Sequence, residues 1–144
     1  MMIIKEFRIP GEPKGKARPR FGKGRTYTPP ETAEYEKLIA CEYKRQCGAY
    51  MFPKTDKGIE VAIIAYFGMP KSASKKKQLK MANNEMKATK KPDADNIAKI
   101  VMDGLNGVAF ADDAHVTSLS VDKAYSLKPH VYVVICGEAG HECT

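Results

Sequence analysis

Twenty-four lysines and arginines against 17 acids give this 144-residue chain a formal charge of +7, and 43% of its residues are hydrophobic. That is apolar material enough for one self-sufficient domain and too much for a disordered chain, while the charge points to an anionic partner, nucleic acid above all. No apolar run approaches the ~20 residues of a spanning helix and the amino terminus lacks a signal-peptide pattern, so a cytoplasmic protein with no membrane contact is expected.

Residues 2–9 alternate apolar and charged side chains and predict an opening strand. Residues 10–30 follow with six basic side chains, Lys14, Lys16, Arg18, Arg20, Lys23 and Arg25, against the single acid Glu12. Their prolines and glycines argue against regular structure, and a loop longer than about 12–15 residues is usually functional or disordered. Phe21 and Tyr27 stand among these cations, a mixture suited to nucleic acid: charge holds the backbone while a ring stacks on an exposed base.

Residues 31–48 predict the first helix, with acids early, Lys44 and Arg45 late, and Tyr35, Leu38, Ile39 and Tyr43 as its apolar stripe. Residues 59–69, rich in β-branched and aromatic side chains, predict a well-buried strand. Residues 70–91 form a second basic block, eight lysines against Glu85. Lys75, Lys76, Lys77, Lys90 and Lys91 are its candidate nucleic-acid contacts, and Ser72 or Ser74 would cap a short helix ending at Met81 or Met86. The two blocks carry +5 and +7 and leave −5 for the rest of the chain, so positive charge is concentrated. Residues 116–126 and 130–136 predict two strands joined at Leu127-Lys128-Pro129 into a hairpin, followed by a frayed end over residues 137–144. The four cysteines, Cys41, Cys47, Cys136 and Cys143, contain no C-x-x-C and are expected as free thiols. Cys136, His141 and Cys143 lack a fourth ligand with the spacing of a zinc finger. The order β-α-β-α-α-β-β predicts a single α+β domain, a mixed β-sheet with helices packed on it.

The chemistry is concentrated in residues 91–116, KPDADNIAKIVMDGLNGVAFADDAHV. Ile97, Ile100, Val101 and Leu105 recur at helical spacing, with Asp93 and Asp95 at the start of that helix, Asn106-Gly107 at its end, and Asp112-Asp113 shortly after. A plainer reading is available: aspartates cap helix starts, and Asp95 with Lys99 makes a favourable i,i+4 pair of about 0.3–0.5 kcal/mol. Asp103, in mid-helix, is expected to be solvated or ion-paired. If the turn folds back along the helix, however, the carboxylates from its two ends converge. Two carboxylates about 4 Å apart repel by roughly 1 kcal/mol in water and about 4 kcal/mol at an effective dielectric of ~20, a conflict that a divalent cation removes. Oxygen donors without histidine or cysteine favour Mg²⁺, with Mn²⁺ as a substitute, over Zn²⁺. With Lys99 on the same face, this is the layout of a metal-dependent phosphoryl-transfer centre.

Three blocks in this window resemble the signature of the RusA family of Holliday-junction resolvases, K-P-D-x-D-N-x-x-K, D-x-L-N-G and D-D-x-x-V. Here they read Lys91-Pro92-Asp93-Ala94-Asp95-Asn96-Ile97-Ala98-Lys99, Asp103-Gly104-Leu105-Asn106-Gly107 and Asp112-Asp113-Ala114-His115-Val116. Ala94 and His115 depart from the residues usual in the family, and both lie between the functional positions. The resemblance implies metal-binding carboxylates at Asp93, Asp95 and Asp113, a supporting role for Asp112 and a catalytic Lys99. It also implies branched DNA as substrate, and a homodimer whose two sites make paired cuts across a two-fold axis. The residues themselves leave two other readings open: a nucleic-acid-binding module whose aspartates only cap helices, and a metal-dependent nuclease acting on flaps or RNA.

Overall fold

The computed structural model describes residues 1–140. Its elements are β1 (Met2–Pro10), β2 (Arg20–Gly22), β3 (Arg25–Tyr27), α1 (Pro30–Cys47), β4 (Ile59–Gly68), α2 (Lys75–Ala82), α3 (Ala94–Leu105), β5 (Val116–Ser126) and β6 (His130–Glu138). This is the expected α+β domain: a mixed four-stranded sheet in the order β1-β6-β4-β5, with helices against it. Alternation decides which way each strand faces. Ile59, Val61, Ile63, Ala65 and Phe67 of β4 bury toward the helices, as do Val131, Val133 and Ile135 of β6 and Phe7 and Ile9 of β1. Tyr35, Ile39 and Tyr43 of α1 and Ile97, Ile100, Val101 and Leu105 of α3 complete the core from the other side. β4 is therefore buried on one face rather than throughout, since Glu60 and Ala62 on the opposite face are exposed.

Helices α1 and α3 approach closely because Gly104 presents no side chain. A Cβ there would lie 2.8 Å from Cβ of Ile39 and 2.9 Å from its Cγ2. Gly104→Val is therefore expected to destabilise the domain by about 1–3 kcal/mol through overpacking. A urea-unfolding midpoint equal to that of the wild type would show that the helices part freely.

Three expectations need correction. The strands β5 and β6 do not form a hairpin: β5 runs parallel to β4 on one side and β6 antiparallel to it on the other. Their connection, residues 127–129, passes over the end of β4. Spanning two strand spacings takes roughly 10 Å, within reach of three residues and their flanks. Gly68 leaves room for the crossing, where an added Cβ would be 3.7 Å from Pro129 and 2.5 Å from Glu12 Oε1. Residues 10–30 are likewise not all loop. β2 and β3 pair as an antiparallel ribbon separate from the main sheet. Lys23 and Gly24 turn the chain with φ of 52° and 76°, the positive values that a two-residue hairpin turn requires.

The carboxyl-terminal strand reaches Glu138, which pairs with Met2 in register and with the N-terminal ammonium at 3.0 Å. Fraying does not begin at Gly137, then. Cys41, Cys47 and Cys136 are free, while His141 and Cys143, with the zinc possibility they raised, lie outside the described residues. Among the described residues no helix is long and apolar enough to cross a membrane.

Candidate active site

The helix α3 is amphipathic by its spacing: Ile97, Ile100, Val101, Leu105 and Met102 face the core, and Asp95, Lys99 and Asp103 remain exposed. Asp93 occupies its N-cap in an extended conformation (φ −68°, ψ 154°), but its side chain makes no capping hydrogen bond. Asp95 sits in the first turn, where the helix dipole favours a negative charge. Capping by its side chain therefore does not account for Asp93. Among the described residues, moreover, none of Asp93, Asp95, Asp112 and Asp113 makes an ion pair, Asp95 with Lys99 included.

The turn after Leu105 folds back on the helix end. Gly107, with φ 77°, donates its N–H to the Phe110 carbonyl at 2.8 Å. Asn106 Oδ1 accepts the main-chain N–H of Asp113 at 3.1 Å. Asp112 caps the short 3-10 turn Asp113–His115, its Oδ1 accepting from the Ala114 N–H at 3.0 Å. These contacts divide the adjacent acids. Asp113 opens into a groove of about 380 Å³ between α3 and the start of β5, lined also by Lys99, Met102, Asp103 and Thr117. Partial burial, then Asp112 and Asp103, push the Asp113 carboxyl above the ordinary value. Asp112 is held below it, first by the Ala114 N–H.

Asp93 opens onto a neighbouring cleft of about 330 Å³, with Gly15, Lys16, Lys91 and Asn96. Thus Asp113, Lys99 and Asp103 share one groove, and Asp93 faces another. Among the described residues no three His, Cys, Asp or Glu side chains stand close enough to form a ready metal cage. By donor chemistry alone, these carboxylates suit a hard cation. The set is all oxygen, exposed and without ion pairs.

Around this acidic strip the basic residues are distributed unevenly. Lys14, Arg18, Arg20, Lys23 and Arg25 are exposed, as are Lys75, Lys76, Lys77, Lys90 and Lys91. Arg20 pairs with Glu31 at 2.6 Å, which anchors the β2–β3 ribbon to the start of α1. Phe21 is 76% exposed on that ribbon, so packing within this chain does not explain it. Lys90 lies over the rings of Phe67 and Tyr125. Lys16 is the exception, because its ammonium sits between Glu36 and Asp103 at 2.5 and 3.0 Å. No residue pattern near Lys16 announced that role, since its partners lie on α1 and α3.

A small α+β domain with unpaired carboxylates at the start of one helix and in the turn after it, framed by exposed lysines and arginines, has the make-up of a protein that works on a polyanion. A family model described as endodeoxyribonuclease RusA matches residues 10–136, and the chain belongs to that family of endodeoxyribonucleases. It is also 34% identical to the uncharacterized protein YqaN of Bacillus subtilis (strain 168), over 90% of this chain and 94% of that one.

Proposed function

We propose that this protein is a Mg²⁺-dependent endonuclease that resolves four-way DNA junctions by phosphodiester hydrolysis, acting as a homodimer in recombination and repair. The observation that carries the reading is the set of carboxylates around α3 that the fold leaves without ion pairs in a chain of charge +7. Asp93, Asp95 and Asp113, with Asp112 beside them, would hold the ion, with Mn²⁺ as a substitute. Bound there, it supplies the charge that polarises a phosphate and lowers the pKa of a water.

The remaining work falls to the protein's own side chains. Lys99, in the groove with Asp113, offsets negative charge developing on the phosphoryl oxygens. The exposed cations of residues 14–25 and 75–91 hold the DNA backbone on either side. Two copies related by a two-fold axis present two such sites to a junction that itself approximates two-fold symmetry.

The test compares a four-way junction, a flap, linear duplex and RNA, each with Mg²⁺ and with EDTA. Paired nicks in the junction with Mg²⁺ alone are expected. Salt-sensitive binding with no nicking under any condition would make the protein a binding module. Faster cutting of flaps or RNA than of the junction would make it a different nuclease.

A further inference from the structure

Lys16 belongs by sequence to the basic stretch that faces DNA, yet the fold turns it inward. Its main-chain N–H donates to the Asn96 carbonyl in the first turns of α3 at 2.9 Å. Its ammonium lies between Glu36 of α1 and Asp103 of α3. Seven residues separate Asn96 from Asp103, so these contacts of one residue span roughly 10 Å of helix. The Lys16 side chain is 22% exposed, too enclosed for a freely mobile surface cation.

The preceding residue tightens the same junction. A Cβ on Gly15 would stand 2.7 Å from Cβ of Pro92 and 3.1 Å from Cβ of Asn96. The loop therefore lies directly on the peptide that leads into Asp93. Asp103 in turn shares its groove with Lys99 and Asp113. A single short stretch of loop thus bears on both ends of the acidic helix, between the two clefts.

We propose that Lys16 is a positioning residue: it clasps the loop before α1 onto α3 and so sets where Asp93 and Asp95 stand relative to Asp113. The inference rests on the nuclease reading of those aspartates. Without the ammonium, the backbone bond to Asn96 and the packing of Gly15 on Pro92 remain, but nothing ties the loop to Glu36 and Asp103, so loop and helix can shift against each other. The loop's other cations can then still reach a phosphate, but the carboxylates lose their fixed relation to it. Displacement of reacting groups by as little as 1 Å costs on the order of 100-fold in rate.

Lys16→Met, Lys16→Arg and Gly15→Ala, made in the full chain, separate this role from a phosphate contact. In a positioning role, Lys16→Met and Gly15→Ala lower kcat on four-way junctions roughly 10- to 100-fold, with KM and the salt dependence of binding unchanged. Lys16→Arg, which keeps the charge and its hydrogen bonds, recovers most of the rate. Amide hydrogen exchange in the last turns of α3, around Asp103, becomes about tenfold faster in Lys16→Met, a reading independent of activity. The proposal is overturned if Lys16→Met raises KM and flattens the salt dependence by about one phosphate contact while kcat and exchange stay as in the wild type. Should Lys16→Met fold poorly, Gly15→Ala carries the same comparison without changing a charge. If the wild type itself leaves junctions uncut, the nuclease reading falls, and the exchange measurement still decides whether the clasp holds α3.

Discussion

Asp113→Asn is expected to reduce junction cleavage by at least 10²–10³-fold, roughly the cost of losing one group that stabilises transition-state charge, while junction binding is kept or tightened. The substitution is nearly isosteric, and the fold does not depend on the carboxylate. The bond to Asn106 Oδ1 is made by the main-chain N–H of residue 113, so the turn stays closed. What is lost is a negative charge in the groove that holds Lys99 and Asp103 and, in the proposed mechanism, an oxygen ligand of the ion. Removing negative charge next to a phosphate also removes repulsion, so affinity does not fall. Asp93→Asn and Asp95→Asn should behave alike, since neither side chain makes an ion pair in the described structure. Asp112→Asn should do less, because an amide oxygen can still accept the Ala114 N–H that Asp112 Oδ1 accepts now. Cleavage kinetics and gel-shift affinity on one junction distinguish the cases. Wild-type cutting by Asp113→Asn would remove that residue from the centre altogether.

The parts of the structure set by local periodicity were readable in the chain. The 3.6-residue spacing of Ile97, Ile100, Val101 and Leu105 marks α3, alternation marks β1, and β-branched and aromatic content marks β4. Ser74 caps α2 as its residue type suggests, accepting from the Lys77 N–H. The neighbours of each strand were not readable. A three-residue link such as 127–129 suits a hairpin, and it also suits a step across the end of an intervening strand. Only the parallel pairing of β5 with β4, reached through α2 and α3, decides between them. The β2–β3 ribbon did leave a signal in Gly22-Lys23-Gly24, a turn flanked by residues that tolerate extended backbone, but the surrounding prolines obscured it.

The site shows the same division. The sequence motif singles out Asp93, Asp95, Lys99, Asp112 and Asp113 because their spacing along the chain is short. Which of the adjacent aspartates opens into the groove depends on the Ala114 and Asn106 contacts, a matter of three-dimensional geometry. Lys16 reads as one more DNA-facing cation because charge type alone does not reveal whether its partner is a phosphate or Glu36 and Asp103. Asp103, expected to be solvated or ion-paired, is exposed and meets the Lys16 ammonium at 3.0 Å.

Phe110→Ala is the stability change with the largest expected effect, and it bears on the site as well. Phe110 is fully buried and forms backbone bridges with Phe52 and Asn106. Its carbonyl receives the Gly107 N–H, so the ring fastens the turn between the end of α3 and Asp113. Truncating a buried phenylalanine costs about 3–5 kcal/mol, a large share of the roughly 5–15 kcal/mol that holds a domain together. At about 2–4 °C per kcal/mol for a domain of this size, the melting midpoint should fall by roughly 6–20 °C. Leu127→Ala is the matched control: that side chain is 83% exposed, so its loss should change stability by about 0.5 kcal/mol at most. The turn's influence on the site is read below the new midpoint, where Phe110→Ala is still folded. There its cleavage rate should fall further than its junction affinity, because the loosened segment carries Asp113 and none of the exposed basic residues. A variant that melts well below the wild type yet cuts at the full rate while folded would separate the two roles. The groove residues would then hold Asp113 in place without help from the core beneath them.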